Sequence, residues 1–192
     1  MTAPPAVALV LHGGRERSTE VSRRRHLASL RMVPFAHALR RAGLETCSVR
    51  YRVRGWNADA SPVADALAAL ERVREAYASV PVVLVGHSMG GRVALRLAGE
   101  PDVAGVVALA PWVPPGEPVR FSPGGRLRVL HGDRDTWTDP AGSRAYVQRA
   151  VDAGVDATWE AVPGDGHAML RRAPLWHRLA VARALECVAV TA

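Results

Sequence analysis

Six short runs of apolar and β-branched residues recur along the chain, at 6–11 (AVALVL), 44–51 (LETCSVRY), 80–85 (VPVVLV), 103–110 (VAGVVALA), 125–130 (GRLRVL) and 155–162 (VDATWEAV). All but one of the gaps between them carry apolar residues at helical spacing, over 29–43, 62–78, 90–99 and 140–154, and a last helical pattern covers 173–190. The central runs do not alternate apolar with polar residues, so each is expected to be covered on both faces. That combination leaves few architectures open: a mostly parallel sheet of about six strands with helices on both faces, an α/β fold. Helix ends support it. Gly43 and Gly154 stand where a left-handed residue closes a helix, and Pro62 and Pro140 suit first turns.

With 192 residues the chain can bury a core as one domain, expected over 1–192, and no Pro/Gly/Ser-rich linker divides it. The stretch MTAPPAVALV has no basic start and leads directly into LHGG, so a cytoplasmic protein without a signal peptide is expected, and no apolar run suggests a membrane partner. Cys47 and Cys187 lack metal-ligand spacing and read as reduced core residues. The formal net charge is +7, yet every basic side chain except histidine is Arg, with no Lys, no Ile and one Asn, Asn57. This is the usage of a GC-rich bacterial genome, and it weakens the case for nucleic-acid binding, for which no groove-reading motif appears.

In a parallel sheet, reacting groups gather beyond the carboxyl ends of the strands. The residues there are HGG (12–14), RVRGWN (52–57), GHSMGG (86–91), PWVPPG (111–116), HGDRD (131–135) and PGDGH (163–167). Gly86, Ser88 and Gly90 form G-x-S-x-G between a strand pattern and the helical RVALRLA, the context in which a serine is held exposed on a strained strand-to-helix turn. The amide of Met89 would then open a helix and point toward a developing oxyanion. A serine nucleophile needs a base, and the base an orienting acid. His26, His37 and His177 lie in polar or helical surroundings, His12 and His131 open Gly turns as loop braces, and His87 is the variable motif position. His167 closes a Gly-rich loop that can reach Ser88. Asp133 and Asp135 both follow the fifth strand and are both candidates for the acid.

Through LHGG, GHSMGG, HGDRD and GDGH, in that order, the chain resembles the α/β-hydrolase family over nearly its whole length, and in particular its small, lidless esterase-like or thioesterase-like members. The resemblance implies that Asp135 completes the triad with Ser88 and His167, leaving Asp133 to brace the loop. It also implies that the Gly14 amide is the second oxyanion donor beside Met89, with the Arg15 amide as rival. Where larger relatives carry a lid, this chain has only the Pro-rich WVPPGEPVRFSPGG, so an open, shallow site for short acyl groups is expected.

Two features suggest substrate contacts. The polar segment 14–26 reads either as a solvated mobile loop or as a source of an Arg, such as Arg15 or Arg17, for an anionic substrate group. Trp56, Trp112 and Trp137 each follow a strand run and read either as core or as an aromatic wall. No phosphate-cradling or dinucleotide Gly pattern and no zinc spacing occurs, so no cofactor and no metal is expected. The expected function is hydrolysis of a small-molecule carboxylic ester or thioester. The alternatives are acyl transfer by the same triad and ligand binding without catalysis; oligomeric state is left open.

Overall fold

The computed structural model describes residues 4–189. Residues 1–3 and 190–192, which hold the start of the N-terminal stretch and the end of the last expected helix, lie outside the described residues. The elements run β1 (Val7–Leu11), α1 (Leu27–Arg41), β2 (Glu45–Ser48), α2 (Ser61–Ala76), β3 (Val82–His87), α3 (Met89–Arg96), β4 (Val103–Leu109), β5 (Arg126–Gly132), α4 (Pro140–Asp152), β6 (Asp156–Val162) and α5 (Ala173–Val188). One six-stranded sheet has the order β2-β1-β3-β4-β5-β6, and every neighbouring pair is parallel.

The missing alternation has its expected cause. Val7, Leu9 and Leu11 point into one core with Leu84, Val106 and Val129, against residues of α2, α3 and α4 such as Leu70, Val93 and Tyr146. Ala8 and Val10 point the other way with Val83, Val85 and Val107, against Phe35 and Leu39 of α1 and Trp176 and Ala184 of α5. Successive strand residues thus feed opposite cores. Only the edge strands β2 and β6 expose part of their length.

Gly43 and Gly154 have φ of +92° and +83° directly after the C-caps of α1 and α4. Asp139 caps α4 by accepting from the amides of Ala141 and Gly142, with Pro140 in the first turn. Cys47 and Cys187 are both free thiols. Residues 110–125 between β4 and β5 contain no helix, and there is no lid among the described residues. Among the described residues no helix is long and apolar enough to cross a membrane.

The segment 14–26 is mostly exposed, as expected of a solvated loop, but its backbone is tied down by pairing with the loop after β2. Arg15 donates its amide to Arg54 O, Ser22 to Arg52 O and Trp56 to Arg15 O, and Asn57 holds both main-chain groups of Ser18 through its side-chain amide. Two sequence-distant loops thereby form one rim beside the carboxyl end of β1.

Candidate active site

The turn from β3 into α3 is built by exclusion. A Cβ on Gly86 would lie 2.3 Å from Gly90 O, and one on Gly90 would lie 2.3 Å from Leu11 O and 2.6 Å from His12 O. Any side chain at either position would have to displace backbone. The close approach forces Ser88 to φ 55° and ψ −119°, outside the comfortable regions for a residue with a Cβ. Ser88 Oγ is thereby carried above the sheet at the head of α3.

His167 reaches Ser88 from the loop after β6. That loop is stapled by the buried Asp165, whose carboxylate accepts from the amides of Gly166 and Arg172 and from Trp176 Nε1. His87 Nε2 donates to His167 O at 3.0 Å, and its ring packs 4.7 Å from that of His167. Burial, with the neighbouring His167 adding to it, pushes the pKa of His87 down to about 3, so this histidine is a neutral brace. His167 Nε2 lies 3.0 Å from Ser88 Oγ and Nδ1 lies 2.8 Å from Asp135 Oδ2.

Asp135 is held more tightly than its position in the sequence suggests. Oδ1 accepts from the amides of Trp137 at 2.8 Å and Thr138 at 3.0 Å. Oδ2 accepts from Thr138 Oγ1 at 2.8 Å and also meets His131 Nε2 at 3.2 Å. Burial of the carboxyl opposes ionisation. Hydrogen bonds from His131, His167 and the two amides outweigh it and hold the group well below the usual carboxylate range. Asp133 faces elsewhere and accepts from the Gly164 amide at 2.7 Å, which ties the β5 loop to the β6 loop. His131 was expected only to brace its Gly turn. The second histidine on Asp135 was not legible, since its spacing of four residues along a strand and turn says nothing about ring direction.

Met89 is the first residue of α3, where amides lack partners inside the helix. The Gly14 amide meets no acceptor among the described residues, whereas the Arg15 amide is already bound to Arg54 O at 2.8 Å. Of the two rival amides, that of Gly14 is the one without an acceptor among the described residues. A Cβ on Gly14 would collide with Arg54 O and with the Met89 side chain, so this backbone can sit beside Met89 only without one. An open cleft of about 220 Å³ joins Ser88 to Gly14, Arg15, Trp112, Trp137 and His167.

The three tryptophans do not form one wall. Trp137 is 81% exposed and stacks on His167 at 5.5 Å. Trp112 lines the Ser88 cleft and also an adjoining cavity of about 480 Å³, where Trp56 and Arg17 are found. Trp56 itself is largely buried, edge-on to Trp112 at 6.0 Å. Among the described residues no group of His, Cys, Asp and Glu side chains is arranged to hold a metal ion.

A strand-to-helix serine turn, a histidine from the last strand's loop and an acid after β5 match the pattern of one family, and the family model described as "Alpha/beta hydrolase family" matches residues 8–190. The chain belongs to the alpha/beta hydrolase family. Solved structures of similar fold include an α/β serine hydrolase without lid from Xanthomonas campestris, with TM-score 0.76 and 21% identity over 100% of this chain and 86% of that one. An α/β serine hydrolase homologue from Coxiella burnetii gives TM-score 0.74 and 18% identity, covering 95% and 88% of the two chains. An esterase from Pyrococcus furiosus gives TM-score 0.72 and 16% identity, covering 95% and 82%. Among curated proteins none matches. This alpha/beta hydrolase thus shares its lidless fold with the Xanthomonas campestris serine hydrolase at low identity.

Proposed function

We propose that this alpha/beta hydrolase cleaves a carboxylic ester or thioester through an acyl-enzyme intermediate on Ser88. The observation that carries the reading is the row Ser88 Oγ to His167 Nε2 at 3.0 Å and His167 Nδ1 to Asp135 Oδ2 at 2.8 Å. In this reading Asp135 keeps the proton of neutral His167 on Nδ1, leaving the Nε2 lone pair to accept the Ser88 proton. Ser88 Oγ attacks the carbonyl carbon, and the carbonyl oxygen takes negative charge facing the amides of Met89 and Gly14. Those donors stabilise charge that exists only along the reaction path, which is where binding energy accelerates chemistry.

Collapse of the tetrahedral species breaks the bond to the alcohol or thiol, which leaves with the proton held on His167 Nε2. Water then enters the same cleft, gives its proton to His167 and attacks the acyl carbon. A second collapse releases the acid and returns the proton to Ser88. The cleft's openness to solvent supports water as acceptor. Turnover of p-nitrophenyl acetate tests the reading: Ser88→Ala should lose on the order of a millionfold in kcat while keeping its circular-dichroism spectrum. A variant with wild-type turnover would contradict it.

A further inference from the structure

Beyond the Ser88 cleft, the adjoining cavity contains a cation whose surroundings the proposed chemistry does not use. Arg92 lies one turn into α3, its amide donating to Ser88 O. Its guanidinium carbon lies 3.9 Å from the centre of the Trp56 ring and 4.5 Å from that of Trp112. Nε donates to Glu117 Oε2 at 2.6 Å. The Glu117 side chain is fully buried and also binds Arg96, while Arg149 donates to its main-chain oxygen. One carboxylate is therefore shared by two guanidinium groups, and the further carboxylate acting on Arg92 is that of the exposed Glu16. Among the described residues, the two terminal nitrogens of Arg92 make no hydrogen bond, and Arg92 lines the cavity together with Arg17, Trp56 and Trp112.

We propose that Arg92 is the anchor for an anionic group, a carboxylate or phosphate, carried by the substrate of the Ser88 site; this rests on the ester-hydrolase reading. Helix side chains lean toward the N-terminus, so Arg92 leans back toward Ser88. Arg92 stands one helical turn, about 5.4 Å of backbone rise, beyond Ser88, so a substrate with a linker of a few carbons is the one to test. Two indoles and a buried carboxylate fix the guanidinium plane in advance, and its outer edge presents the paired donors that a carboxylate accepts. Trp112 borders both spaces and would cover the connecting carbons. Glu16, on the exposed rim of both, opposes an incoming anion and so limits affinity.

Two ester pairs separate an anion on the acyl side from one on the alcohol side. They are monoethyl adipate against ethyl hexanoate, and 4-acetoxybutyrate against butyl acetate, followed by acid release. Wild-type kcat/KM should favour the anionic member of one pair by about tenfold or more at low salt. Arg92→Met should cut that ratio by about 10- to 100-fold, as expected for a charge-assisted paired contact, and Glu16→Gln should raise it. Binding is read separately by titrating monoethyl adipate and 4-acetoxybutyrate into Ser88→Ala protein and following tryptophan fluorescence, with and without Arg92→Met. Arg92-dependent binding without any ester turnover would sustain the anchor and overturn the hydrolase reading. Ester turnover with no anionic preference in either pair, or a preference indifferent to Arg92→Met, would overturn the anchor alone. Neither turnover nor Arg92-dependent binding would overturn both. Should Arg92→Met fail to fold, a ratio unmoved by Glu16→Gln decides against the anchor.

Discussion

Replacing Asp135 by Asn is the sharpest perturbation of the proposed acid, because the structure dictates which way the new amide must face. Oδ1 receives two main-chain N–H groups, from Trp137 and Thr138, and an NH₂ there would confront both donors. The Asn oxygen must therefore take the Oδ1 position, and its NH₂ must turn to His167 Nδ1, 2.8 Å away. Nδ1 becomes an acceptor, so the imidazole proton moves to Nε2, the atom that faces Ser88 Oγ. A protonated Nε2 on a neutral ring cannot take the serine proton. By analogy with the wrong-tautomer variant of a known Ser-His-Asp triad, kcat should fall about 10⁴-fold, or about 5.4 kcal/mol at 1.36 kcal/mol per decade. Asp133→Asn keeps an oxygen for the Gly164 amide and should cost less than about tenfold, the scale of one weakened surface hydrogen bond. The assay is steady-state hydrolysis of p-nitrophenyl acetate by both variants, with melting curves to show that each is folded. The reasoning is refuted if Asp135→Asn stays within tenfold of wild type, or if Asp133→Asn is the more damaging change.

Gly90→Ala places a Cβ 2.3 Å from a main-chain oxygen of β1, an overpacking cost of about 1–3 kcal/mol. Its Tm should drop by about 2–4 °C per kcal/mol, and a variant as stable as wild type would show that the turn is not closed by this contact. His87, with its pKa depressed from 6.5 to about 3, is protonated more readily in the unfolded chain, so stability present above pH 6.5 is lost as pH falls toward 3. At up to about 1.36 kcal/mol per pH unit, His87→Gln should flatten much of the decline in Tm between pH 6.5 and 5. His12 and His177 are also lowered by burial and would retain their share of the slope; an unchanged slope would count against His87 as a neutral brace. Across p-nitrophenyl esters from acetate to palmitate, the lidless cleft should favour acyl groups of about two to six carbons, lacking a tunnel to bury further CH₂ groups at about 0.8 kcal/mol each. A maximum at long chains would contradict it.

The backbone was largely legible because local patterns and burial agree. Each expected strand and helix is present within a few residues, from Val7–Leu11 to Ala173–Val188, and the continuous apolar runs are the central strands, covered on both faces. The turn at Ser88 could be read for a similar reason: Gly86 and Gly90 are demanded by contacts fixed at that spacing. What resisted reading depends on side-chain direction or on partners far apart in sequence. Trp56, Trp112 and Trp137 follow strands alike, yet Trp56 is buried, while Trp112 and the 81% exposed Trp137 line the cleft. The charged loop 14–26 resembles a solvated segment until the bonds to residues 52–57 are seen. Glu117, which holds Arg92, sits in a Pro-rich loop 25 residues away, where no periodicity could signal that its carboxylate is buried.

The central claim is that Ser88 is an activated nucleophile, and intact-protein mass after incubation with a fluorophosphonate measures it most directly. The account predicts one phosphonyl adduct per chain, mapped to Ser88, formed rapidly by wild type and absent from Ser88→Ala. A folded wild-type protein that takes up no label, or a Ser88→Ala protein labelled as readily as wild type, would contradict it.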